Sequence, residues 1–206
     1  MYLTAAGILA VLILTSAQPV AAQEPARKID LASLGPKVGE SVPDFKLQDG
    51  RGQWWTRDSV MGPQGAMIVF SRSADWCPYC KTQLVELQSR YAEVTKQRLG
   101  LVSISYDSPD ILKKFADSRG ITFPLLPDPG WAIIKRYGLL NGTVDPKTRA
   151  YGIPHPGTFI VDRKGVVVSR FFEDAYQERY TTATILTSLG ATLGGGVGAV
   201  EAWGGS

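Results

Sequence analysis

Residues 66–80 constrain this 206-residue chain more than any other stretch, because they put the chain's two cysteines where a buried strand gives way to a helix. Ala66 to Phe70 is an unbroken apolar run, which predicts a strand covered on both faces. Ser73-Ala74-Asp75-Trp76 follows, then Cys77-Pro78-Tyr79-Cys80, then a pattern with Leu84, Val85, Leu87 and Tyr91 on its apolar side that predicts a helix from about Pro78 to Gln97. Cysteines three residues apart lie on the same side of a first helical turn, within reach of a mutual disulfide. At the helix start, unpaired N–H groups and the helix dipole stabilise a thiolate. Cys77 is therefore the expected nucleophile and Cys80, one turn further in, the more buried resolving thiol. Pro78 suits the first helical position, where a missing N–H costs nothing.

Other uses of the pair fit less well. A zinc site needs further sulfur or nitrogen ligands, and the chain has no third cysteine and a single histidine, His155; no metal and no cofactor are expected. A purely structural disulfide would close a loop too short to constrain the unfolded chain much. Trp76 and Tyr79 would frame an exposed Cys77 sulfur as an apolar docking rim, or simply pack.

Lys and Arg number 22 against 19 Asp and Glu, with no long block of one sign, too mild an imbalance to argue for nucleic acid. Residues 1–22 read as a signal peptide: an apolar run from Leu3 to Leu14, then the small residues Val20-Ala21-Ala22 ahead of polar Gln23 as a cleavage site. The apolar run is shorter than the roughly 20 residues of a spanning helix, so no stable membrane anchor is expected after cleavage, and the protein is expected in the periplasm or secreted, where a disulfide persists. Residues 23–38, with Pro25, Gly35 and Pro36, read as an extended arm; residues 39–190 as one domain; residues 191–206, rich in glycine, as a disordered tail.

Within the domain, Asp44 to Gln48 and Gln53 to Trp55 flank the turn signal Asp49-Gly50 and predict a hairpin. Leu101 to Ser105 is a second buried strand. Ser108-Pro109 caps and opens a helix that ends near Gly120. Phe123 to Leu126 is a short extended piece, Trp131 to Tyr137 a short helix, Gly157 to Val161 and Val166 to Val168 a final hairpin, and Tyr176 to Leu189 a last helix. This order predicts an α/β domain with a central mixed β-sheet flanked by helices and an N-terminal β-hairpin extension.

Ala74 to Cys80, the Phe123 to Gly130 segment and Ile153 to Gly165 together resemble the thioredoxin-like superfamily, and within it the redoxins that include the alkyl hydroperoxide reductase and thiol-specific antioxidant proteins. The resemblance covers about residues 39–189. It implies a thioredoxin-like fold, a thiol–disulfide oxidoreductase acting on protein or small-molecule disulfides, and a thioredoxin-like electron donor. It also implies that Pro156 is a cis-proline opposite the cysteines, and it sets His155 near Cys77, where an imidazole could lower the thiol pKa. A peroxide substrate is the alternative, with Cys77 as peroxidatic cysteine. Peroxiredoxins carry a proline seven residues and a threonine or serine three residues before that cysteine, and an arginine in the final hairpin region. Here the first two positions hold Phe70 and Ala74, and His155 and Gly157 flank Pro156. The acid that thioredoxins bury beneath the pair is also not evident, since Ser71 stands in its place. A non-catalytic binding module is a third reading.

Overall fold

The structure is a computed structural model that describes residues 29–173, 175, 177–194 and 200–203. The expected signal peptide and the first part of the arm lie outside the described residues.

Six strands form one sheet in the order β5-β4-β3-β6-β7-β8. They are β3 (Gly65–Phe70), β4 (Leu99–Ser105), β5 (Leu125–Pro127), β6 (Gly157–Val161), β7 (Val167–Phe172) and β8 (Val200–Trp203). β3 runs parallel to β4 and antiparallel to β6. A separate hairpin, β1 (Lys46–Gln48) with β2 (Trp54–Thr56), precedes them. The helices are α1 (Pro78–Ser89), α2 (Tyr91–Lys96), α3 (Pro109–Arg119), α4 (Ala132–Arg136) and α5 (Thr182–Gly194).

Side chains alternate across a strand, and β3 divides the core accordingly. Ala66, Ile68 and Phe70 join Val102, Ile104, Phe159 and the α4 residues Ile133 and Ile134 on one face. Met67 and Val69 face Leu84 and Leu87 of α1, Phe115 of α3 and Ile185 of α5 on the other. All six β3 residues are buried, and a fully buried Val, Ile, Phe or Met contributes about 1.5–3 kcal/mol. This strand is the axis of both clusters.

Ser108 caps α3 by accepting the Ile111 N–H, Pro109 opens it, and Gly120 closes it at φ 63°, the left-handed conformation glycine adopts cheaply. Where the expected single helix over 78–97 stood, the chain breaks at Arg90 into α1 and α2. The Arg90 N–H still donates to the Glu86 carbonyl at 3.1 Å, and the break lies in the backbone of Arg90 itself, at φ −107° and ψ 12°.

Two further expectations are corrected. Over residues 29–38 the arm is not extended but docked: Leu31–Ser33 forms a 3-10 turn capped by Asp30, and Leu31 and Leu34 are buried. Arg170 of β7 holds this segment, donating to the Leu31 carbonyl at 2.7 Å. At the other end, α5 starts at Thr182 and continues to Gly194, and Val200–Trp203 pairs parallel with β7 where a disordered tail was expected. An open edge of β7 offers unpaired backbone groups to whatever chain reaches it.

Candidate active site

Topology gathers four segments at one end of the sheet. β3 and β4 are parallel, so residues 71–77 and 106–107 leave from the same edge. Gly157 at the start of antiparallel β6 pairs with Phe70, which brings Pro156 to that edge, and Phe172 at the end of β7 pairs with Gly157, which brings Glu173 there. A side chain at Gly157 would collide with the Phe172 ring, so the close approach of these strands requires glycine.

The loop between β3 and α1 is held by Asp107. Its carboxylate accepts from the Ser73 hydroxyl at 2.7 Å, the Ala74 N–H at 2.7 Å and the Ser105 hydroxyl at 2.9 Å. Ser73 Oγ in turn accepts the Asp75 N–H at 3.0 Å. Burial pushes the Asp107 carboxyl above the usual range, against the lowering effect of these three donors. The indole N–H of Trp76 donates to the Tyr106 hydroxyl at 2.8 Å, which donates to the Arg149 carbonyl at 3.0 Å, and the Arg72 guanidinium lies 5.1 Å from the centre of the Trp76 ring. Every residue from Ser73 to Trp76 is therefore tied down before the chain reaches Cys77.

Cys77 is the N-cap of α1, and its sulfur accepts the Cys80 N–H at 3.3 Å. Cys77 and Cys80 form a disulfide with Cα atoms 5.3 Å apart, as their spacing predicts, and Pro78 stands at the first helical position. The expected exposure of the Cys77 sulfur is corrected: Cys77 is 1% exposed and Cys80 0%. The Cys77 sulfur turns inward to the helix start and its partner sulfur rather than to solvent. Tyr79 is exposed and Trp76 half-buried, and each borders a different open cleft. One, of about 430 Å³, runs between Trp76, Tyr106, Ile111, Arg149 and Tyr151; the other, of about 270 Å³, runs between Tyr79, Gln83, Arg179 and Tyr180.

The His155–Pro156 bond is trans, as are all peptide bonds among the described residues, so the cis expectation is corrected. Pro154 bridges Leu140, the His155 N–H donates to the Leu139 carbonyl at 2.7 Å, and the chain passes directly into β6, an extended path that the lower-energy trans form follows. His155 is buried, and burial together with the charge of Arg72 pushes its pKa below the usual value. A cationic imidazole is disfavoured there. Pro156 shares a small crevice with Gln83, Thr158 and Arg179.

Arg179 brings a cation to a sulfur. Its guanidinium Nη2 lies 3.9 Å from Cys80 Sγ, its Nε donates to Gln83 Oε1 at 3.2 Å, and it also donates to the Glu178 carbonyl. Asp107, Tyr106 and Arg179 are the site residues the sequence reading lacks. A signal for Asp107 existed, since a carboxylate just past the end of a buried parallel strand stands where α/β sheets build their sites. Arg179 carried no local signal, because its place depends on how the segment after β7 folds back over α1.

This fold and this cysteine pair define a thiol oxidoreductase of thioredoxin-like architecture. Residues 38–170 match the family model described as the AhpC/TSA family, and the chain belongs to that family. It is 33% identical over 138 residues to alkyl hydroperoxide reductase E of Mycobacterium tuberculosis, covering 66% of this chain and 84% of that one. It is 31% identical over 139 residues to a peroxiredoxin of Hyperthermus butylicus, covering 64% of this chain and 56% of that one. Among solved structures it is similar to peroxidoxin BcpB from Mycobacterium tuberculosis, with a TM-score of 0.62, 25% identity, and coverage of 76% of this chain and 97% of that one. The protein is a peroxiredoxin-like thiol oxidoreductase with a cysteine pair.

Proposed function

We propose that Cys77 and Cys80 work as a dithiol–disulfide couple in thiol–disulfide exchange. The Cys77 thiolate attacks a sulfur of a substrate disulfide, forming a mixed disulfide and releasing one substrate thiolate. Cys80 then attacks Cys77 Sγ, which forms the Cys77–Cys80 bond and releases the second thiolate. A thioredoxin-like dithiol donor returns the pair to the reduced state. The observation that carries this reading is the disulfide across the first turn of α1, with Cys77 at the cap. Trp76, Pro78, Tyr79 and Pro156 serve as support and rim.

A second reading, peroxide reduction, is favoured by the names of the relatives and by the burial of Cys77, which a small oxidant reaches more readily than a protein disulfide does. In that case Cys77 takes one peroxide oxygen to become a sulfenic acid, an alcohol or water leaves, and Cys80 condenses with it to the same disulfide, releasing water. Stopped-flow tryptophan fluorescence of the reduced protein, mixed separately with oxidised glutathione and with hydrogen peroxide, tests the choice. Faster reaction with the disulfide is expected; faster reaction with peroxide makes the protein a peroxidase. Cys77→Ser abolishes turnover in both cases, and a variant that keeps its turnover sinks both.

Export belongs to the same proposal: residues 1–22 are a signal peptide removed after Ala22, leaving the protein in the periplasm or secreted. Mass spectrometry of the mature chain from its native host checks this, and a retained Met1 to Ala22 segment rejects it.

A further inference from the structure

Burial raises a thiol pKa by disfavouring the anion. Cys80 is wholly buried, and it lies one turn inside α1, past the cap position where the helix start favours an anion. Left to burial alone it would be a neutral thiol at neutral pH, and a neutral thiol resolves a mixed disulfide slowly, because the attacking species is the thiolate.

The structure places a half-buried cation against that sulfur. Arg179 Nη2 stands 3.9 Å from Cys80 Sγ, and the guanidinium is aimed there by Gln83, which lies three residues beyond Cys80 on the same helix. The segment after β7 is clamped to α1 a second time: Glu86 accepts from the Thr182 N–H at 3.1 Å and from its hydroxyl at 2.5 Å. Gln83 thus holds the guanidinium itself, and Glu86 holds the chain three residues further on.

We propose that Arg179 is the charge partner of the Cys80 thiolate, making the buried resolving cysteine the nucleophile of the second step. The inference rests on the exchange reading above for the order of attack. In that step Cys80 S⁻ attacks Cys77 Sγ, the Cys77–substrate bond breaks, and the substrate leaves as a thiolate that takes its proton from solvent. Arg179 supplies no proton. It lowers the cost of carrying the charge on Cys80 before attack, as an opposite charge within about 4–6 Å lowers a pKa by 1–3 units. Among the described residues, the other charged and titratable groups around this end are Cys77, Tyr79 and Glu86 of α1, Arg72 and Asp75 of the preceding loop, Asp107 after β4, His155 before β6, and Glu173, Glu178 and Tyr180 beside Arg179. Burial and Arg72 push the Arg179 guanidinium down to about 10, with Glu173 opposing, so it remains charged through the neutral range. Arg72 adds to the positive potential, and His155 is held toward its neutral form by burial and by the same Arg72.

Titration of the Cys80 thiol in the full chain tests this directly. In a Cys77→Ser background, thiolate ultraviolet absorbance followed against pH gives the Cys80 midpoint. The expected midpoint rises by about one unit or more with Arg179→Gln and is restored in large part by Arg179→Lys. Gln83→Ala, which leaves the charge but removes its anchor, gives a smaller rise in the same direction. An unchanged midpoint in a folded Arg179→Gln variant overturns the proposal, and so does a rise that Arg179→Lys does not reduce. A purely structural role for Arg179 would lower the melting temperature and leave the midpoint in place. The exchange reading is judged separately, by which single-cysteine variant is labelled faster by a nitrobenzoate disulfide. Faster labelling of Cys80 than of Cys77 reverses the order of attack, while the titration still decides whether Arg179 and Cys80 are partners.

Discussion

Asp107 and Asp128 stand just past the ends of neighbouring strands, both 4% exposed, and burial pushes both carboxyls above the usual range. Their partners differ. Asp128 accepts the Ile133 and Ile134 N–H groups at 2.9 and 2.8 Å, standing in for a missing cap, because Trp131 at the cap position of α4 has a left-handed backbone and no side-chain bond. Asp107 accepts one backbone N–H and two serine hydroxyls, all within the loop that delivers Cys77 or on the strand beside it. The same physical device, a buried carboxylate collecting donors, starts an ordinary helix in one place and shapes the approach to a reactive pair in the other. What separates a positioning residue from a structural one is what its donors hold next, and burial alone does not reveal it.

Removing the carboxylates one at a time should separate the two regions most strongly. Asp107→Ala is expected to slow the reaction of Cys77 with a disulfide reagent at least tenfold and to cost about 2 kcal/mol, since the Ala74 N–H loses its partner while the serine hydroxyls can re-pair. Asp128→Ala should cost about 3 kcal/mol, for two buried N–H groups left without an acceptor, with the Cys77 reaction rate unchanged. Urea unfolding and stopped-flow alkylation give both numbers. If Asp128→Ala slows Cys77 as much as Asp107→Ala does, the distinction between the two regions collapses.

A smaller effect sharpens the picture on the Cys77 side. Tyr106→Phe leaves the Trp76 indole N–H without its acceptor and the Arg149 carbonyl without its donor, and should cost about 1 kcal/mol in urea unfolding. Its effect on Cys77 alkylation should be less than that of Asp107→Ala, because Asp107 keeps its hold on Ser73 and Ala74. The opposite order would make Trp76 the element that sets the reactivity of the pair.

The smallest effects are in pH dependence, where the site's groups carry opposite signs. The single histidine, His155, has its folded pKa pushed below the ordinary value of about 6.5. The unfolded chain then binds that proton first, so this contribution to stability is present above about pH 6.5 and is lost as pH falls through the folded pKa. Asp107, whose folded pKa is raised, contributes stability that is full below about pH 3.9 and is lost as pH rises through its folded value. His155→Gln should therefore flatten the loss of stability as pH falls below about 6.5, and Asp107→Asn should remove the opposing loss as pH rises above about 3.9. Urea midpoints at stepped pH measure both; a His155→Gln curve parallel to the wild type removes His155 from the account.

Much of the fold was legible in the residues. The all-apolar β3, the Asp49-Gly50 turn, the Ser108-Pro109 start of α3 and its Gly120 stop are local signals, and each appears where it was read. The break at Arg90 was not legible, because the apolar pattern of 78–97 continues through it and no glycine or proline marks it. In the site, the Cys77–Cys80 disulfide followed from spacing alone, since three residues of helix fix the distance between the sulfurs whatever surrounds them.

Sequence by itself determined the helix cap, the pair it carries and the buried strand that delivers it, because propensity, capping and periodicity act over a few residues. Tertiary structure alone decided that Asp107 anchors the loop from 33 residues away, that Arg179 meets Cys80 from 99 away, and that both sulfurs are covered. It also decided that the arm over 29–38 docks through Arg170 and that the His155–Pro156 bond is trans. The physical reason is range. A burial penalty or an ion's field depends on every segment the sheet topology brings within a few ångströms, and no local pattern in the chain encodes which segments those are.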